Sequence, residues 1–167
     1  ADLLAIVSGA NTNFDRLRYI SERTEIGERR EAVLSVTIPE KPGSFRRFCT
    51  ALGRRNITEF NYRYADDQVA QVFVGLTVTP GGDDLDGLLA RLRTLGYVAD
   101  DMTHNEVAKL HIRYMVGGHA PGTVDNEHVY RVEFPERPGA LLKFLTGLGQ
   151  RWNISLFHYR NHGAAYG

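Results

Sequence analysis

Three lysines, one cysteine and six histidines are the residues of this chain whose types suit an imine, a nucleophile or a metal ligand. Lys41 is matched by Arg137 in a second copy of its surroundings, and Lys143 is matched by Arg47. A position that accepts either residue wants charge, because arginine forms no imine. Lys109 has no visible base beside it, and Cys49 falls on an apolar helix face, where a thiol serves as core. The histidines stand at 104, 111, 119, 128, 158 and 162. Only His158 and His162 have a spacing that would place them on one face, and the repeat sets Asn61 opposite His158. Covalent and metal chemistry are therefore disfavoured, and no metal ligand set is expected.

The repeat itself is more informative. VTIPEKPGSFRRF begins at Val36 and VEFPERPGALLKF begins at Val132. Pro39, Glu40, Pro42, Gly43 and Phe48 recur as Pro135, Glu136, Pro138, Gly139 and Phe144, always 96 positions on. A fixed offset marks a duplicated structural unit, and two copies mean paired subdomains rather than a solenoid. Each Pro-Glu-Lys/Arg-Pro-Gly loop leads into an amphipathic helix. A helix start offers unpaired N–H groups to a carboxylate, and glycine lets a ligand approach the backbone. A tight turn with no ligand accounts for the same residues equally well. Tyr62-Arg63 and Tyr159-Arg160 also recur, 97 positions apart, the turn near Trp152 having gained one residue. Neighbours on a strand point to opposite faces, so one residue of each pair faces the helices and the other faces out. Ring and guanidinium together suit an amino acid, with apolar contact for its side chain and charge for its carboxylate. A core tyrosine beside a surface arginine is the plainer reading.

The elements that carry these residues follow from periodicity. Leu3 to Val7 suits a short buried strand, stopped by Ser8-Gly9, and residues 13–22 carry Phe14, Leu17 and Ile20 at helical spacing. Leu34, Val36 and Ile38 alternate as in a half-buried strand. Phe45, Phe48, Cys49 and Leu52 form a helical stripe. Ile57 to Tyr64 is an aromatic-rich strand, and residues 65–68 form a hairpin loop. Val72, Val74, Leu76 and Val78 alternate again. Leu85, Leu88, Leu89, Leu92 and Leu95 mark a second helix, and Tyr97 to Ala99 a short last strand. The order βαββαβ is the split ferredoxin-like unit. The second copy repeats the opening, with Tyr130, Val132 and Phe134 as strand, Leu141, Phe144, Leu145 and Leu148 as helix face, and Ile154 to Arg160 as the aromatic strand. A strand, a helix and a strand then remain unwritten at Gly167. The expected fold is α+β: two tandem ferredoxin-like (βαββαβ) ACT-like subdomains, the second truncated, with exposed edges on its unfinished sheet.

Composition narrows the partners. Twenty basic residues balance twenty acidic ones, so no global field draws the chain to nucleic acid or anionic membrane. The single cysteine rules out an intramolecular disulfide and suits a reducing compartment. Leu3 to Val7 is too short to span a bilayer, and no basic segment precedes it. A soluble, cytoplasmic chain with no membrane partner is expected.

At this point the residues resemble a known family. Ser8-Gly9-Ala10-Asn11, Arg18-Tyr19-Ile20-Ser21-Glu22-Arg23, Phe60-Asn61-Tyr62-Arg63-Tyr64, the run from Lys109 to Gly118 and the run from Trp152 to Arg160 are similar to the C-terminal regulatory region of biosynthetic threonine dehydratase (threonine ammonia-lyase). The resemblance spans essentially the whole chain. It implies a pyridoxal-phosphate enzyme, usually a tetramer, that turns L-threonine into 2-oxobutanoate and ammonia in isoleucine biosynthesis. Isoleucine would inhibit it and valine oppose that effect. By the same resemblance, residues 1–11 are the last strand of the catalytic domain, with Ser8 beside the cofactor's pyridine nitrogen. Residues 12–30 are a neck, 31–104 the first subdomain, 105–127 a connector and 128–167 the second. The Schiff-base lysine would lie upstream, so this stretch alone is expected to be non-catalytic and to bind no pyridoxal phosphate. Effector positions carry over to Tyr62, Arg63, Arg113, Tyr159 and Arg160, with Leu141 and Leu142 near a second pocket.

Two rival functions remain at this stage. A free-standing ACT-type amino-acid-binding regulator fits the repeats, but the Ser8-Gly9-Ala10-Asn11 strand argues against it. A ferredoxin-like RNA-binding module would stack bases on Phe60, Tyr62 and Tyr64. Zero net charge and the lack of a run of aromatics and glycine of the RNA-binding kind argue against that.

Overall fold

The computed structural model describes residues 31–78, 85–105, 107, 124, 126–133, 135, 137–149 and 151–160. Strand β1 runs Glu31–Pro39, helix α1 Ser44–Leu52, β2 Ile57–Arg63, β3 Val69–Thr77, α2 Leu85–Thr94 and β4 Val98–Asp101. From the second copy come α3, Ala140–Leu148, and β5, Leu156–Arg160. The strands form one sheet in the order β4-β1-β3-β2-β5. The first four follow the ferredoxin-like order, with β1 antiparallel to both β3 and β4. The expected first subdomain is thus present element by element.

Its core explains why. Leu34, Val36 and Ile38 from β1, Val72, Val74 and Leu76 from β3, and Phe60 from β2 are fully buried. They meet the α1 stripe of Phe45, Phe48, Cys49 and Leu52 and the α2 residues Leu88, Leu89 and Leu92. Each fully buried large apolar side chain contributes roughly 1.5–3 kcal/mol. Gly75 serves the opposite face. A Cβ there would lie 2.5 Å from Thr58 Oγ1 and 3.1 Å from Glu31 Oε1, so glycine leaves room for the 2.6 Å hydrogen bond from Thr58 to Glu31.

The second copy departs from expectation in two ways. First, Tyr130 and Val132 were expected in a strand, yet residues 127–133 are irregular, with Tyr130 80% exposed and Val132 45% exposed. Phe134 lies outside the described residues. The counterpart β1 is held by strands on both sides, and among the described residues no strand flanks 127–133. A strand's hydrogen-bonding groups need such partners. Second, the aromatic strand of the second copy does not stand alone. β5 pairs antiparallel with β2 and extends the first unit's sheet. α3 packs on α1.

The β2–β5 register contains a symmetry. Asn61 pairs with His158, and these two are each other's equivalents in the repeat. Phe60 faces Tyr159 and Tyr62 faces Phe157, each pair being the image of the other. A pseudo-twofold axis therefore passes between Asn61 and His158. Whatever one unit offers the other across this seam is offered back.

Candidate functional site

Strand alternation separates the Tyr-Arg pairs. Tyr62 and Tyr159 turn to the helix side and join the core, so Arg63 and Arg160 turn to the other face. The plainer reading of those pairs describes the tyrosines well, since Tyr62 is 4% exposed and Tyr159 8%.

Tyr62 lies edge-on to Phe45, with ring centroids 4.8 Å apart. Its hydroxyl donates to Glu40 Oε2, inside the first Pro-Glu-Lys-Pro-Gly loop. Burial pushes the Tyr62 hydroxyl well above the usual phenol range, and the Glu40 carboxylate reinforces that. The proton therefore stays on the tyrosine and Glu40 accepts. Glu40 Oε1 accepts a second hydrogen bond, 3.3 Å from Asn153 Nδ2 of the other unit. The loop backbone is tied as well, by Glu40 N–H to the Gln68 carbonyl at 3.0 Å and Ser44 N–H to the Lys41 carbonyl at 3.0 Å. Gly43 closes the loop at the N-cap of α1 with φ 82°, and Gly139 does the same for α3 with φ 84°. Both lie in the left-handed region, which explains the glycine at each copy. No side chain caps either helix.

The second loop opens onto a cleft between the units. Cys49, Asn56 and Ile57 line it from the first unit, and Arg137, Gly139, Leu141 and Tyr159 from the second. It is the image of the Glu40–Tyr62–Asn153 region, because Asn56 is the repeat equivalent of Asn153 and Tyr159 that of Tyr62. The cleft combines a guanidinium, an amide, a glycine backbone and an apolar wall. Burial pushes the Cys49 thiol up to about 12, so it contributes shape and not nucleophilicity. Leu141 is buried and Leu142 half-buried against the same core.

On the opposite face Arg63 meets the connector. Its Nη1 lies 2.6 Å from Glu127 Oε1 and its Nη2 3.4 Å from Glu127 Oε2. Ser155 Oγ also donates to Glu127. Arg63, and then Ser155, hold the Glu127 carboxyl below the usual carboxylate range. Glu127 and Ser155 are the repeat equivalents of Glu31 and Thr58, which form the hydrogen bond beneath Gly75. Arg160, the equivalent of Arg63, stands opposite Glu59 in the register.

Tyr159, Leu141 and Leu142 thus line the inter-unit cleft and Tyr62 sits at its counterpart against Phe45, while Arg63 and Arg160 lie across the sheet from them. Ser8 and Arg113 lie outside the described residues, as do residues 1–30, most of the 105–127 connector, Lys109 and His162. Among the described residues no group of three metal-ligating side chains occurs. His158 Nδ1 instead meets Asn61 Oδ1 on the pseudo-twofold. Sequence reasoning did not single out Asn153, Asn56 or Glu127, and named Arg137 only as the counterpart of Lys41 in the repeated loop. The repeated Asn-Ile at 56 and 153 was a readable signal; the Glu127–Arg63 pair, 64 positions apart, left none. The RNA reading loses its footing, since Phe60 and Tyr62 are buried under the helices and the outward positions of β2 are Glu59, Asn61 and Arg63.

Sheet order and the duplicated loop-helix-strand plan define a tandem ferredoxin-like module of the ACT-like class. A sequence model of the C-terminal regulatory domain of threonine dehydratase matches residues 22–112 and 118–167. The chain is 57% identical to the biosynthetic L-threonine dehydratase of Burkholderia multivorans over 98% of its length, and 56% identical to that of Escherichia coli over 99%. It is 44% identical to the mitochondrial threonine dehydratase of Saccharomyces cerevisiae over 97% of its length. These alignments cover 32%, 32% and 29% of the relatives, so the chain spans about a third of their length. The chain belongs to the family of threonine dehydratase C-terminal regulatory domains. No helix among the described residues is long and apolar enough to cross a membrane.

Proposed function

We propose that this chain senses branched-chain amino acids for a cytoplasmic, homotetrameric threonine dehydratase, with isoleucine inhibiting and valine opposing. The whole protein would convert L-threonine to 2-oxobutanoate and ammonia. Pyridoxal phosphate, held by the catalytic domain and touched by Ser8, would supply the electron sink for that reaction. The observation that carries the reading is the inter-unit cleft, which pairs Arg137 and Asn56 with an apolar wall of Ile57, Leu141 and Tyr159. That set suits a carboxylate at one end and an aliphatic side chain at the other. Because the cleft is built from both units, a ligand in it favours one mutual arrangement and shifts the population toward it. The neck at residues 12–30 would pass that shift to the catalytic domain. Isoleucine and valine differ by one methylene, about 1 kcal/mol of burial, so the shape of the cleft must discriminate.

The test is threonine turnover by the intact protein against isoleucine and valine, with D-isoleucine as control. The Tyr159→Ala variant should need at least about tenfold more isoleucine for half inhibition, the loss of a buried aromatic contact, while turnover without effector stays near the parent's. Unchanged inhibition would remove this cleft from the effector site.

A further inference from the structure

A second opening lies on the helix side, between α1 and α3. It holds about 420 Å³ and is lined by Arg46, Arg47 and Thr50 from α1 and by Leu142 and Thr146 from α3. Small-molecule sites run from about 300 to 1,000 Å³. The charge of this groove has one sign, since neither α1 nor α3 contains an acidic residue. Arg46 is half-buried, yet its guanidinium makes no hydrogen bond or ion pair among the described residues. Arg47 spends one donor on Ser44 Oγ, 3.0 Å from its Nη2, and a guanidinium has five. Thr50 and Thr146 are each other's equivalents in the repeat. Their hydroxyls donate to the carbonyls of Arg46 and Leu142 at 2.8 and 2.7 Å. A hydroxyl rotates, so both can turn to an incoming acceptor. Helix stability does not account for the arginines. They stand in the first turn of α1, at the positive end of its dipole, where a cation is unfavourable.

We propose that the groove between α1 and α3 binds the phosphoryl dianion of a small phosphorylated metabolite, with Arg46 and Arg47 as its charge partners and Thr50 and Thr146 as hydroxyl donors. Two adjacent guanidiniums balance two negative charges, and their forked N–H groups match the oxygens of a phosphate. Leu142 also lines the cleft of Arg137 and Tyr159, so the two openings share a wall. α1 belongs to the first unit and α3 to the second. A dianion held by both helices therefore ties the units together beside that cleft.

The experiment is isothermal titration of the intact protein with inorganic phosphate at constant ionic strength, the cofactor being bound beforehand so that its own phosphate subsite is filled. The parent should bind phosphate saturably, and acetate, a monoanion, at least about tenfold more weakly. Arg46→Ala should weaken phosphate at least about tenfold, the loss of a charge-assisted contact. Arg54→Ala removes the same charge from an exposed arginine outside the groove and should change binding less than about twofold. Thr146→Glu sets a carboxylate in the groove at an exposed position and should abolish phosphate binding. A parent without saturable phosphate binding overturns the site, as do equal losses in Arg46→Ala and Arg54→Ala. Acetate bound as tightly as phosphate overturns the dianion assignment. If Arg46→Ala fails to fold, Thr146→Glu decides, and phosphate binding retained there overturns the site.

Discussion

Val36 and Val132 open the same thirteen-residue motif in two copies, yet Val36 is fully buried and Val132 is 45% exposed. Val36 sits in a strand with neighbours on both sides, Val72 on β3 and Ala99 on β4. Val132 lies in an irregular segment with no strand beside it among the described residues. The helix that follows forms in both copies, with the same left-handed glycine at its start. The difference shows which elements are local. A helix satisfies its backbone within itself, whereas a central strand borrows its hydrogen bonds from strands far away in sequence.

The clefts differ in the same spirit. Phe45 stands where the second unit has Leu141, and its ring contacts both Phe60 and Tyr62. The Tyr62 side is therefore filled by rings and tied to Glu40, while the Tyr159 side keeps an opening lined by Arg137 and Leu141. Two loops of one plan thus present a clasped and an open version of the same site.

The largest effect should come from the buried core of the first unit. Phe60→Ala should cost about 3–5 kcal/mol, whereas Phe157→Ala, its half-buried image across the register, should cost less than about 3 kcal/mol. Urea unfolding of the two variants measures both, and equal losses would erase the contrast between the units. Next, Tyr62→Phe strips the buried Glu40 of a donor and should cost about 1–3 kcal/mol. Asn153→Ala removes the longer, inter-unit hydrogen bond to the same carboxylate and should cost about 0.5–1.5 kcal/mol. If Asn153→Ala proves the costlier of the two, the seam and not the loop holds Glu40. The smallest change belongs to Glu127→Gln. Glu127 titrates below the ordinary 4.5 in the folded chain, so its contribution is whole above pH 4.5 and is lost as pH falls through its lowered value. Thermal unfolding of the parent between about pH 3 and 6 should slope more steeply than that of Glu127→Gln, and identical slopes would mean that the Arg63 pair adds nothing.

Much of this was legible from spacing. The alternation of Leu34, Val36 and Ile38 placed β1, and the stripe of Phe45, Phe48, Cys49 and Leu52 placed α1 and its buried face. The repeat located both loops and both tyrosines. Alternation also said that Tyr62 and Arg63 part company, although the idea of one pocket using both ignored it. The Glu40–Asn153 and Arg63–Glu127 contacts were beyond reach, because partners 113 and 64 positions apart meet only once β5 has docked on β2.

Periodicity, turn chemistry and the repeat are properties of neighbouring residues, and so the sequence alone determined the ferredoxin-like order, the helix faces and the glycines at both helix starts. The seam was decided elsewhere. Register between β2 and β5 sets Asn61 on His158 and brings the two units together around one cleft. Those outcomes depend on which surfaces meet, and packing of distant segments is specified by shape and hydrogen-bond partners in three dimensions rather than by any local pattern.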